Sequence, residues 1–285
     1  MATAPPQLLL QAPPAPPRPY GLFDVALGPM PFPSPPAVGA GVQYVPDVCE
    51  DDVFLYAMNC PPVSGTKTFS PVETAVSGAP FTVITSYTCN VIGYSFEEAR
   101  QRVLTRLSLR EQRAVERRLW QGQTAAGLGA ITGLFRSATT IGPASCPTDA
   151  VAQLEQVLAD NAVVGGIIHA RPYMSAYLSN SHLIYHGRGN QITTDRGTLI
   201  CYGEGYDGTG PANQPVSGSA EYMYASGRVL IWQDPEVFVP PAMQTLNRST
   251  NDLTLVAERV YAVVVECGIW AIQVTRNCAT TGATA

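Results

Sequence analysis

Lysine is all but missing from this sequence. Of its 17 basic residues only Lys67 is a lysine and the rest are arginines, so any chemistry that needs a side-chain amine has a single candidate. Charge of either sign is scarce as well. Charged residues make up 14% of the 285 and the net charge is −5; no run of basic residues could track a phosphate backbone, which argues against sequence-specific nucleic-acid binding. No apolar stretch approaches the roughly 20 residues of a membrane-spanning helix. The apolar "QLLLQ" near the start is too short, and too flanked by proline, for a signal peptide. The chain reads as a soluble protein made in a cytosol.

Motifs for conventional catalysis are missing too. Cys49, Cys60, Cys89, Cys146, Cys201, Cys267 and Cys278 are odd in number, widely spread and without a CxxC pair, which reads as buried or half-buried thiols in a reducing compartment. His182 and His186 stand four apart, a spacing that puts two imidazoles on one helical face as metal ligands, but glycines follow them and no acid is near to orient them. Neither "GEGYDG" nor "GRGN" follows a strand and opens a helix as a phosphate cradle must, and GK[ST] does not occur. GxSxG is absent as well, and His169, His182 and His186 accompany no recognisable nucleophile motif. No cofactor, metal or enzymatic turnover is expected.

What is there is the pattern of an assembly protein. Twelve of the 25 prolines fall in the first 36 residues, where few backbone donors remain for ladders and the chain favours extended geometry. That segment reads as a disordered tail or as an arm lying along a neighbouring subunit, and the apolar "YGLFDVAL" favours the arm. Short β-type runs follow, "GVQYVPDV", "VFLYAM" and "FTVITSYT", with a long Pro/Gly/Ser/Thr-rich loop before the last of them. Lys67 sits near the tip of this loop, and loops of such length are usually functional or protruding.

The periodicity then changes. "SFEEARQRVLTRLSLREQRAVERRLWQG" opens with Ser95 and Glu98 in capping-box spacing, places Phe96, Ala99, Val103 and Leu107 at helical intervals, and closes on Gly122. It predicts one long helix over 95–121, unless Ser108 with Glu111 forms a second cap and breaks it. Arg102, Arg106, Arg110, Arg113 and Arg117 recur at three- and four-residue steps and share a face. They form a solvated stripe or one that meets carboxylates of another subunit or an enclosed polymer. "TDAVAQLEQVLADN" predicts a second helix, "RPYMSAYLSN" a short one with proline in its first turn, and "VVGGIIHA", "GTLICYGEGY", "RVLIWQ", "EVFVPP" and "LTLVAERVYAVVVECGIWAIQVT" predict strands. Strands and helices mix without βαβ alternation, so the class is α+β.

In their order and spacing, "SGAPFTVITSYTCNVIGYSFEEARQRV", "GIIHARPYMSAYL", "GTLICYGEGYDG" and "LNRSTNDLTLVAERVYAVVVECGIWAIQV" resemble the major capsid proteins of tailed bacteriophages, in particular those infecting actinobacteria. The resemblance implies the Hong Kong 97-type capsid fold. It implies an N-terminal arm over 1–48, an extended loop over 49–80, a peripheral domain with its spine helix over 81–139, an axial domain over 140–235, and strands over 236–285 that return to the peripheral domain. It also implies a virion protein, assembled in the host cytoplasm from pentamers and hexamers into an icosahedral shell around double-stranded DNA contacted non-specifically. The implied partners are other copies of the chain, a portal, a scaffold and decoration proteins, and no membrane. Encapsulin nanocompartments share the fold, so fold alone does not separate virus from compartment.

Some members of the fold weld their shells covalently, and the resemblance extends to the residue types they use. There, a loop lysine attacks an asparagine amide of another subunit, and a glutamate seven residues after the asparagine, from a third subunit, serves as base. Lys67, Asn251 and Glu258 match those settings and that spacing. The chemistry explains the requirement. An ammonium with pKa near 10.4 must be desolvated and deprotonated before it is a nucleophile, and an amide is a poor electrophile that reacts only when positioning is close. Without that resemblance Asn251 is a turn residue and Glu258 a strand carboxylate beside Arg259.

Overall fold

The computed structural model describes residues 18–46, 75–90, 95–125, 129–187, 189–216, 218–241, 246–247 and 249–276. Lys67, and with it nearly all of the loop expected over 49–80, lies outside the described residues.

The long helix spans Phe96–Trp120. Ser95 Oγ accepts from the Glu98 N–H at 3.1 Å while Glu98 Oε2 accepts from the Ser95 N–H at 2.8 Å, so the capping box is closed in both directions. At the other end Gly122 takes φ of 75°, the left-handed position where a side chain is penalised, and its missing Cβ would stand 2.0 Å from the Ile131 carbonyl oxygen. The helix does not break at Ser108, because that hydroxyl donates back to the Thr105 carbonyl at 3.0 Å and caps nothing. Its buried side changes along its length. Ala99, Val103 and Leu107 are buried in the first half, whereas Val115, Glu116, Leu119 and Trp120 are buried in the second.

That change lets one helix serve two layers. Its first half lies on a five-stranded sheet in the order Leu27–Pro31, Val229–Gln233, Asp252–Val265 and Leu246–Asn247, with Pro80–Asn90 also paired to Asp252–Val265. Pro80–Asn90 alternates in period two: Phe81, Val83 and Tyr87 face the helix side and are buried, while Thr82, Ile84, Ser86 and Thr88 are exposed. Tyr261 stacks on Phe81 and on Phe23, tying the sheet to the N-terminal segment.

The second sheet has seven strands in the order Thr139–Ala144, Ile269–Thr275, Ala220–Ser226, Ile167–Ala170, Leu199–Tyr202, Ile192–Thr194 and Ile184–His186. Its central strands are buried on both faces. Along Ala220–Ser226, Tyr222 and Tyr224 join the core around the long helix, while Met223 and Ala225 join a second core under the helices Pro147–Asp160 and Met174–Asn180. A strand covered on both sides reads in sequence as an unbroken apolar run, as "YMYA" does. Trp120, at the end of the long helix, closes the joint: its indole N–H donates to the Thr209 carbonyl at 3.0 Å, and its ring lies 4.5 Å from those of Tyr206 and Tyr224.

Several expectations need correction. The last two long strands separate, Asp252–Val265 and Ile269–Thr275 entering different sheets, and Val229–Gln233 pairs with Asp252–Val265. The physical reason is the turn at Cys267 and Gly268, both at positive φ, which carries the chain from one layer to the other. Within the segment expected as a tail or an arm on a neighbouring subunit, Leu22 is fully buried and Leu27–Pro31 pairs in parallel with Val229–Gln233 of the same chain. "EVFVPP" forms only a single bridge, Phe238 to Glu258, since its prolines remove ladder donors. The short helix begins at Met174, after Pro172 and not around it. Cys267 is disulfide-bonded, against the expectation of thiols throughout, whereas Cys89 and Cys201 are free.

Two substitutions separate the local from the tertiary contribution to the long helix. Ser95→Ala, which opens the capping box, should lower unfolding stability by about 1 kcal/mol. Leu107→Ala, which hollows the contact with the sheet, should cost roughly 2–5 kcal/mol. Urea denaturation of the dissociated subunit measures both.

Candidate functional site

Asn251 and Glu258 flank the opening half of one strand. Asn247 and Asp252 pair across a tight hairpin whose turn is shaped by the Asn247 side chain: its Oδ1 accepts from the Ser249 N–H at 3.1 Å and from the Ser249 hydroxyl at 2.7 Å. Asn251 completes that turn at φ of 54°, exposed, with its side chain held by no hydrogen bond among the described residues. Asparagine is one of the few residues that tolerates this backbone region.

Glu258 is half-buried on the sheet face turned away from the long helix. Across the ladder it is opposed by Ile84 on one side and bridged to Phe238 on the other, and directly opposed residues share a face. Ile84 is 48% exposed and Phe238 60%, so the carboxylate stands between two apolar side chains that nothing described covers. The pairing of Glu258 with its neighbour Arg259 does not occur: successive strand residues point to opposite faces, and Arg259 turns inward to Glu111 on the long helix at 3.0 Å. The Glu258 side chain makes no hydrogen bond or ion pair among the described residues. Seven residues of strand separate Asn251 from Glu258, about 23 Å at the usual rise. The two cannot meet within one copy.

The remaining polar features are structural. His182 is exposed in a turn at φ of 54° and His186 lies on the strand Ile184–His186, so the helical face their spacing could have offered does not exist. Gly205 of "GEGYDG" lies against the long helix, where a Cβ would come within 2.3 Å of the Arg113 carbonyl oxygen. This glycine-rich stretch is a packing loop. His169 carries a partner that sequence reading missed, Ser226, whose Oγ is 2.8 Å from Nε2, with Tyr206 OH 2.9 Å from Nδ1. His169, Ser226, Tyr206 and Cys201 are all buried, and burial pushes the imidazole pKa down to about 3. The imidazole is therefore neutral and sealed from any substrate.

The other unforeseen residue is Glu116. It is fully buried in the last turns of the long helix and has no cationic partner among the described residues. Oε1 accepts from the Leu22 N–H at 3.0 Å and the Gln112 amide at 3.2 Å, and Oε2 accepts from the Gly205 N–H at 2.8 Å. One carboxylate thus fastens both the N-terminal segment and the packing loop to the helix. Burial raises its pKa from 4.5 to about 7 against the pull of the two backbone donors. Glu221, buried beside Arg171 at 3.7 Å, is likewise raised to about 7, chiefly by burial. A periodic sequence offers one signal for Glu116: it is the one carboxylate among Val115, Leu119 and Trp120.

No family model and no curated protein matches the sequence. Solved structures do match. A structure described as the capsid of a native GTA particle superposes over 95% of this chain and 95% of that one, with a TM-score of 0.60 at 11% identity. Mycobacterium phage Ogopogo matches over 95% and 97%, at 0.53 and 13% identity, and Microbacterium phage Oxtober96 over 97% and 96%, at 0.52 and 12%.

Glu116 makes stability depend on pH with a definite sign. A carboxyl whose pKa is higher folded than unfolded binds more protons when folded, so its contribution is complete below pH 4.5 and is lost as pH rises through about 7. The loss is on the order of 3 kcal/mol for a shift of that size. In urea titrations at a series of pH values, the wild-type subunit should weaken across this window. Glu116→Gln should be weaker at acid pH, since an amide N–H replaces one acceptor, and should lose its own share of the slope, leaving the share that Glu221 contributes over the same window.

These matches carry the resemblance read from the sequence into three dimensions: along 95% of its length or more, the chain has the fold of phage capsid proteins.

Proposed function

We propose that the chain is the major shell subunit of a tailed phage, assembling as pentamers and hexamers into an icosahedral head around double-stranded DNA, in the virion and without membrane. The observation that carries this reading is the match in fold along 95% of the chain to a particle capsid. The net charge of −5 suits a container, which must hold DNA densely without gripping it. Portal, scaffold and decoration proteins are the partners such a shell requires. In this reading residues 1–48 serve as the arm, 49–80 as the extended loop, and the two sheets as peripheral and axial domains.

The crosslink belongs to the same proposal. Lys67 of one copy attacks the side-chain carbonyl carbon of Asn251 in a second, forming a C–N bond as ammonia leaves, and Glu258 of a third accepts the amine proton and passes it to the leaving nitrogen. The separation of Asn251 from Glu258 along one strand supports a reaction that only assembled copies complete. The open flanks of Glu258, Ile84 and Phe238, support its role as base. Once a neighbouring copy covers them, the carboxylate loses water and becomes a stronger proton acceptor.

Two measurements test the proposal. Electron microscopy of the expressed chain should reveal closed megadalton particles, and particles from phage should absorb at 260 nm as DNA-filled shells. Empty particles with a bound cargo protein would instead indicate a compartment. On denaturing gels mature wild-type particles should give a ladder of covalent oligomers, which Lys67→Arg, Asn251→Ala and Glu258→Gln each abolish while particles still form. A single band near the 30.4 kDa subunit mass in the wild type would rule the crosslink out.

A further inference from the structure

We infer that the ribbon formed by Val42–Tyr44 and Val76–Gly78 is an arm on a pivot, held by one catch, the Tyr44 hydroxyl on Glu266, at the joint between the two large sheets. The catch belongs to the single chain and does not rest on the shell reading. The ribbon pairs Val42 with Gly78, Gln43 with Ser77 and Tyr44 with Val76, and no other described strand pairs with it. A lone two-stranded ribbon is only marginally stable in water. What holds it to the body therefore decides where it points. Residues 45–75, Lys67 among them, lie between its strands in the sequence, so its direction is the one in which they leave the fold.

The two ends of the ribbon are held differently. At one end two glycines let backbones approach closely. A Cβ on Gly41, whose φ is 87°, would stand 2.4 Å from the Gly78 carbonyl oxygen, and a Cβ on Gly78 would stand 2.7 Å from Val264 Cγ2. Glycine leaves the backbone its freedom to turn, and this end is the pivot. At the other end the Tyr44 ring lies 6.1 Å from that of Trp232, and its hydroxyl donates to Glu266 Oε1 at 2.5 Å. Among the described residues this is the one hydrogen bond from the ribbon to the rest of the fold.

Glu266 sits where the sheets are joined. It lies in the turn from Asp252–Val265 to Ile269–Thr275, and Arg228 lies in the turn from Ala220–Ser226 to Val229–Gln233, so both turns cross between the sheets. Arg228 grips the buried Glu266 carboxylate twice, Nε to Oε2 at 2.5 Å and Nη2 to Oε1 at 3.0 Å, and the Glu266 N–H donates to the Arg228 carbonyl at 3.0 Å. A guanidinium fork fixes the direction of a carboxylate as well as its charge. Oε1 is thereby aimed at Tyr44, and a shift of one turn against the other re-aims it and opens the catch. Because Arg228 continues to neutralise Glu266, loss of the Tyr44 hydroxyl leaves no buried charge unpaired. The ribbon opens while the sheets stay folded.

Amide hydrogen exchange on the full-length chain tests the inference. In Tyr44→Phe the ribbon amides should exchange roughly tenfold or more faster, the size expected when a hydrogen bond to a charged group is lost, while those of Asp252–Val265 and Ala220–Ser226 keep their rates. Unchanged exchange in the ribbon overturns the inference. So does equal acceleration in the sheets, which would make Tyr44 a support of the core. Coupling between two sites is reciprocal, so the Glu266 amide should also exchange faster in this variant, and an unchanged rate there overturns the link to the joint. Arg228→Lys keeps the charge and loses the fork. It should free the ribbon by itself and add little to Tyr44→Phe, since both open one catch, whereas fully additive effects overturn the link. Should Arg228→Lys fail to fold, the Glu266 amide in Tyr44→Phe decides that point alone.

Discussion

The change of buried side along the long helix is the constraint on which the rest of the structure depends. A helix that buried one stripe throughout would cover one sheet and leave the other to a separate unit. Here the first half buries Ala99, Val103 and Leu107 against the five-stranded sheet, and the second half buries Val115, Glu116, Leu119 and Trp120 toward the seven-stranded sheet and its loops. Neither sheet is fed by one stretch of chain. Strands at 220–226 and 229–233 separate into the two sheets, and so do those at 252–265 and 269–275, so the layers are sewn together at two turns.

Glu116 shows how such a joint is fixed. A buried carboxylate without a cation is unfavourable unless donors surround it, and the donors come from two segments far apart in sequence, Leu22 and Gly205. Both segments must therefore be in place for the helix end to be stable. Close approach adds to this, because Gly205 leaves no room for a side chain against the helix backbone. The side chains of Glu258, Arg110 and Arg113 are ones for which the described residues provide no hydrogen-bond or ion-pair partner.

Much of the local structure was legible. The capping box, the glycine stop and the four-residue apolar steps placed the long helix within a residue of Phe96–Trp120, because capping and periodicity are set by neighbours in sequence. The period-two pattern of 80–90 placed its strand for the same reason. What was not legible depended on distant partners. The split of the last two strands between sheets, the incorporation of Leu27–Pro31, and the weak pairing at Phe238 all turn on which strand lies alongside, a choice that alternation does not encode. His169 with Ser226 and Glu116 with its two donors were invisible in the same way, since they join residues between 57 and 94 positions apart.

For the candidate site the division is similar. The sequence by itself determined the chemical inventory: a single amine at Lys67, an asparagine in a turn, a glutamate seven positions later, and a row of arginines on one helical face. These follow from composition and from the fixed geometry of helix and strand. Only the tertiary structure decided that Arg259 turns to Glu111 and leaves Glu258 without an ion pair among the described residues, that Asn251 and Glu258 stand too far apart to meet within one copy, and that Arg110 and Arg113 have no partner among the described residues. Burial and pairing are properties of surfaces brought together by folding, and no stretch of sequence contains both sides of such a contact.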